Sequence, residues 1–303
     1  MTDSNIEWTE QTWNPLAGCT IKSPGCKHCY AMKMAKRCEA MGIAKYAGTT
    51  MTVKGKAVWT GKINFDEKAL LAPLARKKPT MYFVNSMSDM FHEDVPNYWI
   101  DKVFAVMALC PQHTFQVLTK RADRMREYCT NIPGHDDRWF AAIQSGRSGK
   151  GAFALQDAHE RLHRAGVLRN VWMGVSVEDQ KRADERIPDL LATPAAVRWL
   201  SMDPLLGPVE IDPTKNEATL RVENRISVST GARVRSKIEN LDWIVVGGES
   251  GPGAREFDPD WARSIRDQCA AANVPFFMKQ MGGANKARMP EIPGDLMVRE
   301  YPK

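Results

Sequence analysis

Six short apolar runs, each ended by polar side chains, set what this chain can fold into. Met81–Val84 runs into Asn85, Ser86 and Asp89, and Phe115–Leu118 into Thr119, Lys120 and Arg121. Val171–Val175 leads to Ser176 and Glu178, and Val197–Leu200 to Ser201 and Asp203. Trp243–Val246 leads to Gly247, Gly248 and Glu249, and Pro275–Met278 to Lys279 and Gln280. Runs of this length, apolar but for Gln116 and Arg198, suit strands covered on both faces. Helical segments lie between most of them, such as Tyr98–Leu109, Glu178–Leu191 and Pro259–Ala272; Asp66–Lys77 precedes the first, with Leu70, Leu71 and Leu74 on one face. Such alternation implies a parallel sheet clad in helices. With Trp13–Ala17 as a further extended piece, the candidate strands number seven. A doubly wound sheet collects ligands mainly at its switch point, whereas a barrel builds its site from the ends of many strands. The polar run ends therefore favour an α/β fold of the second kind, a complete or partial (β/α) TIM-like barrel of parallel strands.

Close to the N-terminus, Cys19, Cys26 and Cys29 place three of the seven cysteines within eleven residues, in the spacing C-x6-C-x2-C. Gly18, Pro24 and Gly25 make the segment a loop, and Tyr30–Met41 reads as a helix of good helix formers. Three thiolates on such a loop can hold a soft metal or an iron–sulfur cluster. Three readings stand. A [4Fe–4S] cluster with three cysteine ligands leaves one iron open; a structural zinc ion would take a fourth ligand from His28, Cys38 or a distant histidine; and the thiols could simply be buried and unlinked. An unpaired three-cysteine loop suits the open cluster best. Without a signal-peptide pattern, and with an odd number of cysteines, a secreted disulfide framework does not fit. Cys110, Cys129 and Cys269 lie singly on helical segments as core thiols.

Hydrophobic residues make up 43% of the chain and charged residues 26%, and no apolar run approaches the roughly 20 residues of a membrane helix. A cytoplasmic protein with reduced thiols is expected. The net charge of +6 permits a nucleic-acid or phosphate-bearing partner. Nine tryptophans, scattered along the chain, are expected in the core. Lys45–Lys62 is a basic, Gly- and Thr-rich excursion. One domain over residues 1–303 is expected, with insertions at about 130–165 and 212–240. The first insertion carries Gly134, Gly146, Gly149 and Gly151, then a helix with Arg161, His163 and Arg164. The second alternates through Leu220, Val222, Ile226, Val228 and Val234 as a small β-ribbon. Its Arg221, Arg225, Arg233, Arg235 and Lys237 form either a solvated lobe or a clamp on a nucleic-acid backbone.

The cysteine loop resembles that of radical SAM enzymes, whose usual spacing is C-x3-C-x2-C; the first gap here is three residues longer. More of the chain resembles the three-cysteine-motif proteins common in phages and prophages, a family of undefined function related to those enzymes. The matching stretches are Ile6–Thr9, Trp13–Leu16, the loop itself, Asn85–His92, Leu118–Arg121, Gly174–Glu178, Leu200–Pro208, Gly247–Gly251 and Phe276–Gln280. The resemblance independently implies a (β/α) barrel. It further implies that Cys19, Cys26 and Cys29 hold a [4Fe–4S] cluster whose open iron chelates S-adenosylmethionine (SAM). A reductant protein then supplies one electron, and SAM yields a 5′-deoxyadenosyl radical. Tyr30 matches an aromatic that packs near adenine there, or is a core aromatic at a helix start. Gly247-Gly248-Glu249 is similar to the element that binds the methionine amino group, although that element usually follows the second strand. Asn85 and Ser86 occupy the equivalent place here. Glu249 could instead face substrate or pair with a lysine. Glu178 completes the cofactor-binding candidates. Asp89, His92, Lys120, Asp203 and Lys279 are the catalytic candidates, with Arg121 and Gln280 beside them. Lys120, Arg121 and Lys279 suit phosphate or carboxylate groups, and Asp89 and His92, on a shared helical face, suit proton transfer. A salt-bridge network at the strand ends would use the same residues. The chain is thus expected to be a radical SAM-like enzyme acting on a nucleic acid or nucleotide-like substrate, or else a non-catalytic zinc or iron–sulfur protein that binds nucleic acid.

Overall fold

A computed structural model describes residues 4, 6–131, 160, 166–212, 236–285 and 288–302. Nearly all of both expected insertions, with the arginine-bearing ribbon, lies outside the described residues. The chain divides into two compact units, residues 1–175 with 192–197, and residues 176–191 with 198–303.

In the first unit, β1 (Gln11–Trp13) is followed by the two-residue β2 (Leu16–Ala17) and helix α1 (Tyr30–Ala40). The basic excursion is a hairpin, β3 (Thr50–Val53) and β4 (Lys56–Trp59). Lys54 and Gly55, both with positive φ, make its two-residue turn, as the twist of paired strands requires. Then come β5 (Asn64–Phe65), α2 (Glu67–Leu70), β6 (Met81–Val84), α3 (Asn97–Leu109), β7 (Thr114–Thr119), α4 (Ala122–Thr130) and β8 (Val171–Ser176). β1, β6, β7 and β8 pair in that order, all parallel. β2 pairs antiparallel with β5. The helix expected over Asp66–Lys77 is shorter: α2, capped by the Asp66 carboxylate, gives way to a 3-10 turn over Ala72–Ala75 because Pro73 cannot donate to a continuing helix.

The second unit holds α5 (Gln180–Ala192), β9 (Val197–Met202), β10 (Trp243–Gly247), α6 (Pro259–Ala272) and β11 (Phe276–Gln280). β9, β10 and β11 pair in chain order, again parallel. Every residue of β10 is buried, which explains its uninterrupted apolar sequence. Asp258 caps α6 through the Asp260 amide, Pro259 fits the first turn, and Asn273 ends the helix at φ 55°.

Seven parallel strands thus stand where seven were expected, four in one unit and three in the other. Within each unit their order follows the chain without the reversal of a doubly wound sheet, in keeping with a partial (β/α) barrel. Trp8, Trp13, Trp59, Trp199 and Trp243 are core residues, as are Cys110, Cys129 and Cys269. No helix among the described residues is long and apolar enough to cross a membrane.

Candidate metal centre and its ionic scaffold

The cysteine loop leaves β2 through Gly18, at φ 103°. A Cβ there would lie 2.0 Å from the Lys62 carbonyl oxygen, so only glycine fits. The Gly18 amide donates to the Met87 carbonyl at 3.2 Å, tying the loop to the turns after β6. Pro24–Cys26 forms a 3-10 turn, and the Cys29 amide donates to the Cys26 carbonyl at 3.2 Å. α1 starts one residue later. None of the seven cysteines is in a disulfide. Cys19 and Cys29 pack against a small core of Ala17, Ala31, Met32, Ala35, Tyr46, Trp59 and Met87.

The three thiols are close enough to feel one another. Burial chiefly, then the Asp89 carboxylate, pushes Cys19 up to about 12 against the pull of Arg121, and Cys26 and Cys29 add to the rise. Burial also raises Cys29, opposed first by the Ala31 amide at the start of α1; Cys26 raises it further and Lys120 lowers it. Among the described residues no three His, Cys, Asp or Glu side chains stand as one tight group for a single ion.

Beside Cys19 lies a buried ionic scaffold. Arg121, 2% exposed, reaches out from the end of β7. Its Nη1 donates to Asp89 Oδ2 at 3.0 Å and points at Cys19 Sγ at 4.0 Å. Its Nε donates to Glu93 Oε2 and its Nη2 to Thr20 Oγ1, both at 2.7 Å. Asp89 is saturated: its oxygens also accept from Thr119 Oγ1 and from the amides of Lys120 and Phe91. These residues lie on successive turns after β6, so the shared helical face expected for Asp89 and His92 does not exist. The Asp89 carboxylate, by accepting the amide two residues on, holds the chain in a turn.

His92 is buried, with Nε2 2.9 Å from Thr20 Oγ1. Its Nδ1 accepts from the Asp94 amide at 3.1 Å, which fixes the proton of the neutral ring on Nε2. Burial first, and Arg121 second, hold its pKa below the ordinary histidine value. Burial works upward on Glu93, but its own backbone amide, Arg121 and Lys22 outweigh it and bring the carboxyl down to about 2.

Asn85 ends β6 at φ 58°; its Oδ1 accepts from the Leu16 amide at 3.3 Å, which leaves Nδ2 buried without a partner. Asn14 Oδ1 accepts from Ser86 Oγ and the Met87 amide. Tyr30 is half exposed, not a core aromatic, and its hydroxyl donates to the Ser86 carbonyl at 2.9 Å. The first unit thus gathers Asn85, Ser86, Asp89, His92, Lys120 and Arg121 around the cysteine loop. A cavity of about 380 Å³ is lined by Glu93 and Arg121 together with Phe91, Arg124 and Arg126.

In the second unit the strand-end residues pair with one another. Asp203 and Lys279 form a close ion pair across the end of β10. Gly247 leaves room for it, since a Cβ there would lie 3.0 Å from Asp203 Oδ1. At Gly248 a Cβ would lie 2.3 Å from the Gly282 amide nitrogen, so this glycine lets the segments after β10 and β11 touch. Gln280 Nε2 donates to the Gly248 carbonyl at 2.9 Å. Glu249 is buried and doubly engaged by Arg255, Nη2 to Oε1 at 2.7 Å and Nε to Oε2 at 3.0 Å, so arginine takes the place expected for lysine. Glu178, fully buried, pairs with Arg186 at 3.0 Å.

Sequence reasoning missed Thr20, Glu93, Asn14, Arg186 and Arg255. Asn14 and Thr20 lie inside stretches that the sequence marks out and Glu93 adjoins one, which was the available signal; the arginine partners carried none.

The donor set fits an iron–sulfur group: three thiols on one preformed loop, an arginine N–H directed at one of them, and an unsatisfied amide donor at Asn85. No curated protein and no solved structure matches the chain. A family model described as a protein of unknown function (DUF5131) matches residues 3–301, and the chain belongs to that family.

Proposed function

We propose that the chain is a radical SAM-like iron–sulfur enzyme, with Cys19, Cys26 and Cys29 as cluster ligands and a nucleic acid or nucleotide-like molecule as substrate. The observation that carries this reading is the set of three mutually interacting thiols on a loop built by Gly18 and closed by α1. A cluster takes one thiolate on each of three irons and so spreads them more widely than a single ion does. A closed zinc tetrahedron would instead need a fourth side-chain ligand beside these three. When bound, the group would supply one-electron reduction of SAM, with the electron delivered by a reductant protein. The chain's own residues do the rest. Arg121 orients toward Cys19 and neutralises the added negative charge, Asp89 and Glu93 hold Arg121, and Asn85 Nδ2 is available to an acceptor on a bound small molecule. Lys120 sits close enough to Cys29 to favour its thiolate. Reduced thiols and a reductant partner suit the cytoplasm, and the phage kinship of the resembled family agrees with a nucleic-acid substrate.

A second reading has its own observation. Glu249 is occupied by Arg255 and Gly248 by Gly282, so the Gly-Gly-Glu element has a structural explanation without SAM. In that reading the metal is structural and the protein binds nucleic acid without catalysis. Anaerobic reconstitution separates the two. The enzyme reading expects iron and sulfide in stoichiometric amounts, reductive release of 5′-deoxyadenosine from SAM, and loss of both in Cys26→Ala. Stoichiometric zinc, or a full cluster with no SAM binding, overturns it in favour of the second.

A further inference from the structure

The positive charge of the chain is concentrated in one stretch. Nine of the 42 basic residues but one of the 36 acidic ones fall between residues 20 and 62, so this stretch carries +8 and the remainder −2. It comprises the cysteine loop, α1 and the β3–β4 hairpin, which share the core of Ala31, Met32, Ala35 and Trp59. Lys22 pairs with Glu93 and Lys45 with Asp66, while the other seven basic side chains of the stretch have no carboxylate partner among the described residues. In the second unit, by contrast, Arg263 and Arg266 are neutralised by Asp295.

α1 directs part of this charge outward in a single stripe. Tyr30, Lys33, Met34, Arg37 and Met41 recur at helical spacing and are all exposed. Tyr30 is 51% exposed, yet its hydroxyl is anchored on the Ser86 carbonyl, so the ring is held in one orientation at the surface. A fixed aromatic among unpaired cations is the arrangement that takes a base by stacking and its phosphates by charge. The stripe starts one residue after Cys29.

We propose that the outer face of α1, with the adjoining hairpin lysines, binds single-stranded nucleic acid and leads it to the cysteine loop. Stacking on Tyr30 needs an unpaired base, which selects a single strand over a duplex. A lipid surface is the competing occupant: Ala31, Met32 and Ala35 are buried in their own unit, but Met34 and Met41 are exposed among the cations, so anionic vesicles form one arm of the test. The proposal rests on the nucleic-acid part of the functional reading and not on the metal.

Fluorescence anisotropy of a labelled oligothymidylate tests it, on full-length protein whose iron and zinc contents are measured in the same preparation. Affinity should fall linearly on a log–log plot against salt, and should exceed that for the matching duplex. Lys33→Gln with Arg37→Gln should lower the salt slope by about 1.4, because each neutralised phosphate of a single strand adds roughly 0.7 to it. Tyr30→Ala should weaken binding roughly tenfold, whereas Lys181→Gln, an exposed charge in the second unit, should change nothing. These side chains are exposed, so an unchanged thermal midpoint confirms that the variants fold. Equal competition by polyglutamate would assign the face to an acidic protein and overturn the proposal; so would anionic vesicles binding in place of the oligonucleotide, or binding indifferent to the double variant. Protein that takes up no iron on anaerobic reconstitution yet still binds through this face keeps the proposal and sinks the cluster reading. Iron-loaded protein that ignores the oligonucleotide does the reverse.

Discussion

Arg121 can be buried only because four acceptors surround its guanidinium: Asp89, Glu93, Thr20 and Cys19. Removing the charge leaves Asp89 and its network uncompensated in the interior. Arg121→Gln should therefore cost about 3–5 kcal/mol in urea unfolding. Arg121→Lys should recover part of this, since an ammonium cannot span the same acceptors. A loss comparable to that of an exposed ion pair would show the network to be dispensable. The same residues fix a pH dependence. His92 titrates below its ordinary 6.5, and Glu93 below its ordinary 4.5 at about 2. As pH falls the unfolded chain takes up each proton first, so stability is complete above the ordinary values and is lost downward. The loss should begin below about 6.5 through His92 and continue from 4.5 to about 2 through Glu93. Urea midpoints measured from neutral to acid pH should fall accordingly, and His92→Gln should flatten the upper part of the curve. A midpoint that rises on acidification would contradict this arrangement.

At the level of elements, the parallel strands were legible because burial on both faces leaves an apolar run that polar residues must end, as in Trp243–Val246 before Gly247. The cysteine loop was legible for a similar reason, since Gly18 has no substitute at φ 103°. What escaped depends on partners distant in sequence. The hairpin at 50–59 has a Lys-Gly turn but little apolar alternation, because most of β3 faces solvent. Gly247-Gly248-Glu249 looked like a ligand-binding element, yet its contacts are Asp203, Gly282 and Arg255. This contrast can be tested. Gly248→Ala forces a Cβ against the Gly282 backbone and should cost about 1–3 kcal/mol or more. Gly207→Ala, with open space around it, should be nearly neutral in thermal unfolding. A Gly248→Ala protein of unchanged stability that lost only SAM binding would restore the ligand-binding reading.

For the molecule as a whole, the question is whether a metal would build the fold or settle into it. All three thiols lie on one loop of the first unit, and that loop is already closed by backbone bonds from Gly18 to Met87, Cys26 to Ser23 and Cys29 to Cys26. Its core of Ala31, Met32, Ala35 and Trp59 owes nothing to a ligand. Protein stripped of metal should therefore keep its far- and near-ultraviolet circular dichroism, unlike small domains that fold only on metal. Loading should raise the midpoint by linkage alone, by about 2.7 kcal/mol at a hundredfold excess over Kd. For a chain of this size that corresponds to several degrees, at roughly 2–4 °C for each kcal/mol. Cys26→Ala should abolish the rise while leaving the metal-free midpoint little changed. The measurement is a thermal scan of matched loaded and stripped samples under anaerobic conditions. A stripped protein without near-ultraviolet signal would mean that the loop is held by its metal. A midpoint indifferent to loading would mean that these thiols bind none.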